Sequence, residues 1–142
     1  MTHKRTTIRN ALVSRLSGLA TCGARVFPSR LRTLAAAEVP AILVSTEGET
    51  EDKPLLLGGL PMERALDVRV DIVVKASTGY ETTADTILTE IEGALFDSVA
   101  HNTLGGVAHT TMLASIEAPE MDDSTDKPVV RLPVILRVIY TS

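Results

Sequence analysis

Apolar and polar positions alternate with a period of two along two long stretches of this chain. In the first, Leu66, Val68, Val70, Ile72 and Val74 alternate with Asp67, Arg69, Asp71, Val73 and Lys75. That spacing predicts a strand with one aliphatic row on a core and a mostly charged row outward. In the second, Val129 to Thr141, a row of Val130, Leu132, Val134, Leu136, Val138 and Tyr140 faces away from Arg131, Ile135 and Arg137. Pro133 lacks an N–H, so this strand is expected to be an edge or to be bulged there. Its outer row offers Ile135 and Ile139 as exposed positions. An edge strand that exposes isoleucines calls for cover by another subunit, which makes both residues subunit-interface candidates.

Elsewhere the period is helical. Ile8, Ala11, Leu12, Leu16 and Leu19 predict a first helix capped by Thr6 or Thr7, with Arg9 and Arg15 off its apolar stripe. Gly18 weakens its last turn and Gly23 is the expected stop. Ala84, Ile87, Leu88, Ile91 and Leu95 predict a second helix, opened by a capping-box-like Thr82/Asp85 pair and ending near Val99, with Gly105-Gly106 as the turn out. Val26-Phe27 reads as a short strand before Pro28, and Ala41 to Ser45 as a strand apolar enough to be buried on both faces. Val107 to Glu117 is strand-like, with Thr110, Met112, Ala114 and Ile116 on one side. Thr46 to Pro61 reads as a long acidic loop with an apolar tip, and Pro119 to Pro128 as a second acidic loop. The order helix, three strands, helix, two strands predicts an α+β fold. The expected form is a single domain over 1–142: a mainly antiparallel or mixed five-stranded sheet with two helices packed on one face.

Composition sharpens this picture. At 142 residues and 44% hydrophobic the chain can bury a core without staples, and 3% aromatic content makes that core aliphatic and disfavours base-stacking platforms. Cys22 is the sole cysteine, so no intrachain disulfide forms and nothing requires an oxidising compartment; it reads as a small semi-buried residue rather than a reactive thiol. The net charge of −4 hides an asymmetry: residues 1–37 carry seven basic residues and no acid, and the remainder carries seven basic against eighteen acidic. Opposite patches of this kind suit head-to-tail or side-by-side self-association, while a solvated basic helix that binds nothing would look the same in sequence. The acid-free start also resembles a transit peptide, but it merges into strand-like sequence without a cleavable linker, and Arg9 and Arg15 interrupt any secretory apolar region. With no apolar run near the ~20 residues of a membrane span, the expectation is a soluble, intracellular protein.

Catalytic signals are sparse. His3, His101 and His109 lack the spacing that puts two imidazoles on one helical face, no nucleophile elbow is present, and Gly58-Gly59 and Gly105-Gly106 sit in no phosphate-binding fingerprint. Asp122, Asp123 and Asp126 lack the ligand spacing of a calcium loop and read as a solvated turn. The expectation is therefore no enzyme, no cofactor and no metal. Arg30 and Arg32, after a Pro-Ser turn, are placed to pair with acids of a neighbouring subunit or to stand in solvent.

A family pattern emerges from these elements taken together. An N-terminal helix leads to Phe27-x-x-Arg30, then Glu38-x-Pro40-Ala41-Ile42-x-Val44 with Gly48-Glu49 after it. An Arg64-led alternating strand, a helix containing Ile91-Glu92, an acidic turn and a strand ending in Tyr140 complete the series. This order resembles the tail-terminator family of long-tailed bacteriophages, the lambda-type minor tail protein, over nearly the whole chain. The matched residues are structural rather than catalytic, and the Lys53-Pro54-Leu55-Leu56-Leu57 tip departs from the pattern. The resemblance implies a virion protein at the head-proximal end of the tail, assembled in the host cytoplasm. It would form a hexameric ring that caps the tail tube, stops its elongation and provides the surface joining the head. Implied partners are the tube protein and a head-completion or connector protein, with DNA passing through the lumen without specific binding. An acidic lumen suits such passage, which makes Glu47, Glu49, Glu51 and Asp52, with Leu55, Leu56 and Leu57, lumen or tube-facing candidates. A head–tail connector or neck protein is the alternative within this setting, and a small regulatory ligand-binding α+β domain is the alternative outside it.

Overall fold

Two alternating strands lie side by side at the middle of the sheet. The computed structural model describes residues 4–23, 25–28, 39–51, 63–122 and 128–141. In it β3 (Glu63–Lys75) is flanked by β2 (Ala41–Glu51) and β6 (Val129–Thr141), antiparallel to both. A two-residue β1 (Val26–Phe27) runs parallel to β2 on one side, and β4 (Thr110–Ile116) is antiparallel to β6 on the other. The short β5 (Glu120–Asp122) also pairs with β6. The sheet is thus six-stranded and mixed, in the order β1-β2-β3-β6-β4 with β5 beside β6. Helices α1 (Lys4–Leu16) and α2 (Tyr80–Phe96) and a single-turn α3 (Val99–Asn102) complete an α+β fold.

The core forms where the periods meet. Ile8, Leu12 and Leu16 of α1 and Ala84, Ile87, Ile91 and Leu95 of α2 are buried against the even-numbered rows of β3 and β6 and against Ile42 and Val44 of β2. Each such Leu or Ile contributes about 1.5–3 kcal/mol by leaving water, which is what makes the helical stripe and the strand alternation cooperate. Both main helices therefore pack on one face of the sheet. Ala41 to Val44 is buried on both faces, because Leu43 joins Val39 and Val73 in a second small cluster on the opposite side.

Several elements differ from the sequence expectation. α1 ends at Leu16, and Gly18, at φ 90°, starts a tight loop closed by the bonds Gly18 N–Gly23 O and Gly23 N–Leu19 O, each 2.8 Å. Gly23 closes that loop rather than stopping the helix. α2 begins at Tyr80 behind Gly79, which is left-handed at φ 86°, so Thr82 lies inside the helix and caps nothing. β2 does not end at Ser45: it continues to Glu51 through a register shift between Thr46 and Glu49. The extra residue of a bulge lets a Gly- and Glu-rich stretch stay on the ladder.

The terminal strand is the larger correction. β6 is central, since β3 pairs with all of Val129 to Thr141 while β4 and β5 take its other side. Pro133 is tolerated because its backbone faces the gap between β4 and β5, where Glu117 N donates to its carbonyl at 2.9 Å. The missing N–H thus points where the partner ladder is already broken. The outward row of β3 is also less exposed than alternation implies: Asp71 and Val73 are both fully buried.

Candidate assembly surface

The expected interface residues fall into three groups. Arg30, Arg32, Asp52, Leu55, Leu56 and Leu57 lie outside the described residues. Glu47, Glu49 and Glu51 belong to the continued β2, where Glu49 stands opposite Leu66 and Glu51 opposite Arg64 in the ladder, so these positions are strand rather than loop. Ile135 and Ile139 are not edge residues at all. Ile139 is 8% exposed and Ile135 half-buried, on a strand paired on both sides, so the premise that made them interface candidates is corrected.

The basic end of the chain is held in place by its own cations. Arg15 Nε donates to Ala94 O at 2.8 Å, placing a cation near the C-terminal end of α2, where the helix dipole favours positive charge. Lys4 Nζ donates to Thr141 O at 2.9 Å, and Arg25 donates to Pro40 O and Thr21 O at 2.8 and 3.0 Å. The loop after α1 is fastened to α2 by Glu90, whose two carboxylate oxygens accept from Thr21 N at 2.9 Å and Thr21 Oγ1 at 2.5 Å. Cys22 is buried in that loop, and burial pushes its thiol up to about 11, so the thiolate is scarce at neutral pH.

The outward face of the sheet carries ion pairs within β3 and across strands. Arg69 Nε donates to the buried Asp71 Oδ1 at 2.7 Å, and its Nη2 reaches Glu120 Oε1 at 3.2 Å. Asp71 Oδ2 accepts no hydrogen bond among the described residues and has Arg131 Nη1 3.9 Å away. Further along the same β3–β6 pair, Arg137 Nε donates to Asp67 Oδ1 at 3.0 Å. Burial disfavours the Arg69 charge, but the bond and charge of Asp71, helped by Glu120, outweigh it and hold the guanidinium above its ordinary range. These pairs tie β3, β6 and β5 together. At the helix junction, Asp97 Oδ1 accepts from His101 Nδ1 at 2.5 Å, and that bond holds the Asp97 carboxyl below its usual range.

The free edge of the sheet was not legible in the sequence. The β4 register shifts between Leu113 and Ser115, so Thr110, Met112 and Ser115 share the outward face while Thr111, Leu113 and Ile116 share the helix side. The expected single row of Thr110, Met112, Ala114 and Ile116 is therefore split by a bulge. Asn102 closes the first step of this edge: its Nδ2 donates to Thr111 O at 2.8 Å and its Oδ1 accepts from Thr110 Oγ1 at 2.8 Å. Beyond it, Leu113, Ile116 and Met121 remain exposed at 39%, 46% and 63%. Two clefts of about 220 Å³ share Tyr80 and Val74, and the second is lined by Val39, Pro40, Lys75, Ser77 and Thr83. The first is lined by Ala84 and Asp85 of α2 with Pro119, Val130 and Leu132.

Among the described residues, no group of three His, Cys, Asp or Glu side chains is placed to hold a metal ion, and no helix is long and apolar enough to cross a membrane. What the surface offers is a basic helix at one end of the sheet and an apolar, acid-flanked edge at the other. No protein-family model matches the sequence, and comparison with curated proteins finds no match.

Proposed function

We propose that this chain is a structural subunit of a long-tailed phage particle, a tail terminator whose ring caps the tail tube and offers a face to the head. The observation that carries the reading is the separation of charge. Residues 1–37 hold seven cations and no acid, and the rest of the chain holds an excess of eleven acids. In the fold the basic helix α1 packs on β2, α2 and β1, while β4 and β5 lie on the far side of β6. A subunit with unlike ends is suited to heterologous contacts that close into a ring. The role is mechanical rather than catalytic, with six copies the number that the family resemblance implies.

The ligand-binding alternative finds less support. Among the described residues, the two clefts beside Tyr80 are open at the surface and, at about 220 Å³, fall below the ~300 Å³ at which small-molecule pockets begin. A connector role is separated from a terminator role by deleting the gene from its phage genome and imaging the particles produced. Loss of a terminator yields overlong tails that do not join heads. Tails of normal length left unjoined would identify a connector, and unaltered particles would reject both.

A further inference from the structure

Helix α2 and the β4–β5 edge run side by side in opposite directions. The N-terminal turns of α2 meet Pro119 and Val130 across the cleft, and its C-terminal end is tied through Asn102 to Thr111. Leu113, Ile116 and Met121 stand opposite Leu136, Val134 and Val130 in the ladder, so all three share the helix side of the sheet. Glu81, Asp85 and Glu92 follow one another at helical spacing on one flank of α2, and the first two line the cleft with Pro119, Val130 and Leu132. None of these three acids makes a side-chain hydrogen bond or ion pair with a described residue, unlike Glu90 on the opposite flank. The result is a groove with an apolar strand wall and an acidic helix rim.

We infer that this groove receives a second copy of the chain, whose α1 end docks against the α2 and β4–β5 side of its neighbour. The inference rests on the ring reading and names its contact surface. Charge complementarity selects the occupant: the rim is acidic, and the one acid-free part of the sequence is residues 1–37. Topology makes the contact intermolecular. α1 packs on β1, β2 and the Glu90 side of α2, and the acidic rim is on the opposite flank of α2. Lys4 Nζ reaches Thr141 O at one end of β6, whereas Glu81 and Asp85 lie beside Val130 near its other end, roughly 35 Å along the strand. One copy cannot satisfy its own rim, and each copy offers one surface of each kind, which is the requirement for head-to-tail propagation. Leu113, Ile116 and Met121 then supply apolar area, and the charges supply register.

A charge-swap pair tests this on the full-length protein. Variant A carries Glu81→Lys and Asp85→Lys, and variant B carries Lys4→Glu and Arg9→Glu, with circular dichroism confirming that each folds. Sedimentation velocity is run on wild type, A, B and an equimolar mixture of A and B. Wild type is expected to assemble, and A and B alone are expected to associate on the order of 100-fold more weakly, since like charges meet in each. The mixture is expected to recover wild-type assembly, because every A–B contact in either sense is complementary. Assembly of A or B alone at wild-type strength overturns the surface assignment while the ring reading stands. Loss of assembly in both with no recovery on mixing overturns the pairing of these two surfaces. A wild-type protein that stays monomeric throughout overturns the ring reading and this inference together.

Discussion

Asp71 is a carboxylate buried on the face of the sheet that carries the other ion pairs, and its removal should be felt. Arg69 Nε lies 2.7 Å from its Oδ1, and the Arg69 and Arg131 side chains are only 17% and 19% exposed. Asp71→Asn keeps the shape and one acceptor but removes the acceptor's charge, so the ion-pair bond to Arg69 becomes an ion–neutral one, at a cost of about 1–2 kcal/mol. Asp71→Ala removes the acceptor as well. A broken buried pair costs about 3–5 kcal/mol, and the low end applies because Arg69 keeps Glu120 and both arginines retain some water. The interaction itself is isolated by a double-mutant cycle of Asp71→Asn with Arg69→Met, read by urea unfolding at fixed protein concentration. The expected coupling is about 1–2 kcal/mol. As a control, Glu120→Gln removes the exposed member of the network and is expected to cost less than about 1 kcal/mol. A coupling below about 0.3 kcal/mol would show that the pair contributes nothing beyond additivity and would refute the reasoning.

Further predictions concern single positions. Gly79 sits at φ 86° with open space around its missing Cβ, so Gly79→Ala is expected to cost about 1–2 kcal/mol from backbone strain alone. Gly93, exposed within α2 and equally free of neighbours, should behave oppositely: Gly93→Ala is expected to stabilise by about 0.5–1 kcal/mol in thermal or urea unfolding. The Asp97 carboxyl is held below its usual range by His101, so its stabilisation is present above the unfolded pKa of about 3.9 and lost as pH falls through the lower folded value. Asp97→Asn should therefore lower the melting temperature at neutral pH, with the deficit closing below about pH 4; a deficit unchanged at pH 2 would contradict this. Cys22 should resist iodoacetamide at pH 8 in the native protein and react once the chain is unfolded, because burial raises its thiol to about 11.

The elements with strong periodicity were legible in the sequence. The apolar rows of β3 and β6 are buried as their spacing says, and so are most of the two helical stripes, with Ala11 and Leu88 only partly buried and Leu19 beyond the end of α1. What escaped was set by neighbours. β6 carries Pro133 and still lies inside the sheet, because the partner strand opens at that residue, and no local signal announces where a partner opens. Asp71 reads as a solvent position by alternation, yet two arginines from β3 and β6 close over it. The short β5 hid within an acidic segment, since Glu120 and Asp122 are poor strand formers held by pairing with β6. Of the candidate surface, the charge asymmetry was readable from composition. The groove was not: Glu81 and Asp85 meet Pro119 only through the fold, and the bulge in β4 turns Leu113 and Ile116 to the same side.

Self-association into a closed ring is the central claim, and native mass spectrometry of the purified full-length chain at low ionic strength tests it most directly. The account predicts a discrete closed species, at six times the 15.2 kDa chain mass if the family resemblance holds, that dissociates as salt screens the contacts. A single species at 15.2 kDa, persisting up to the highest protein concentration reached, would contradict it.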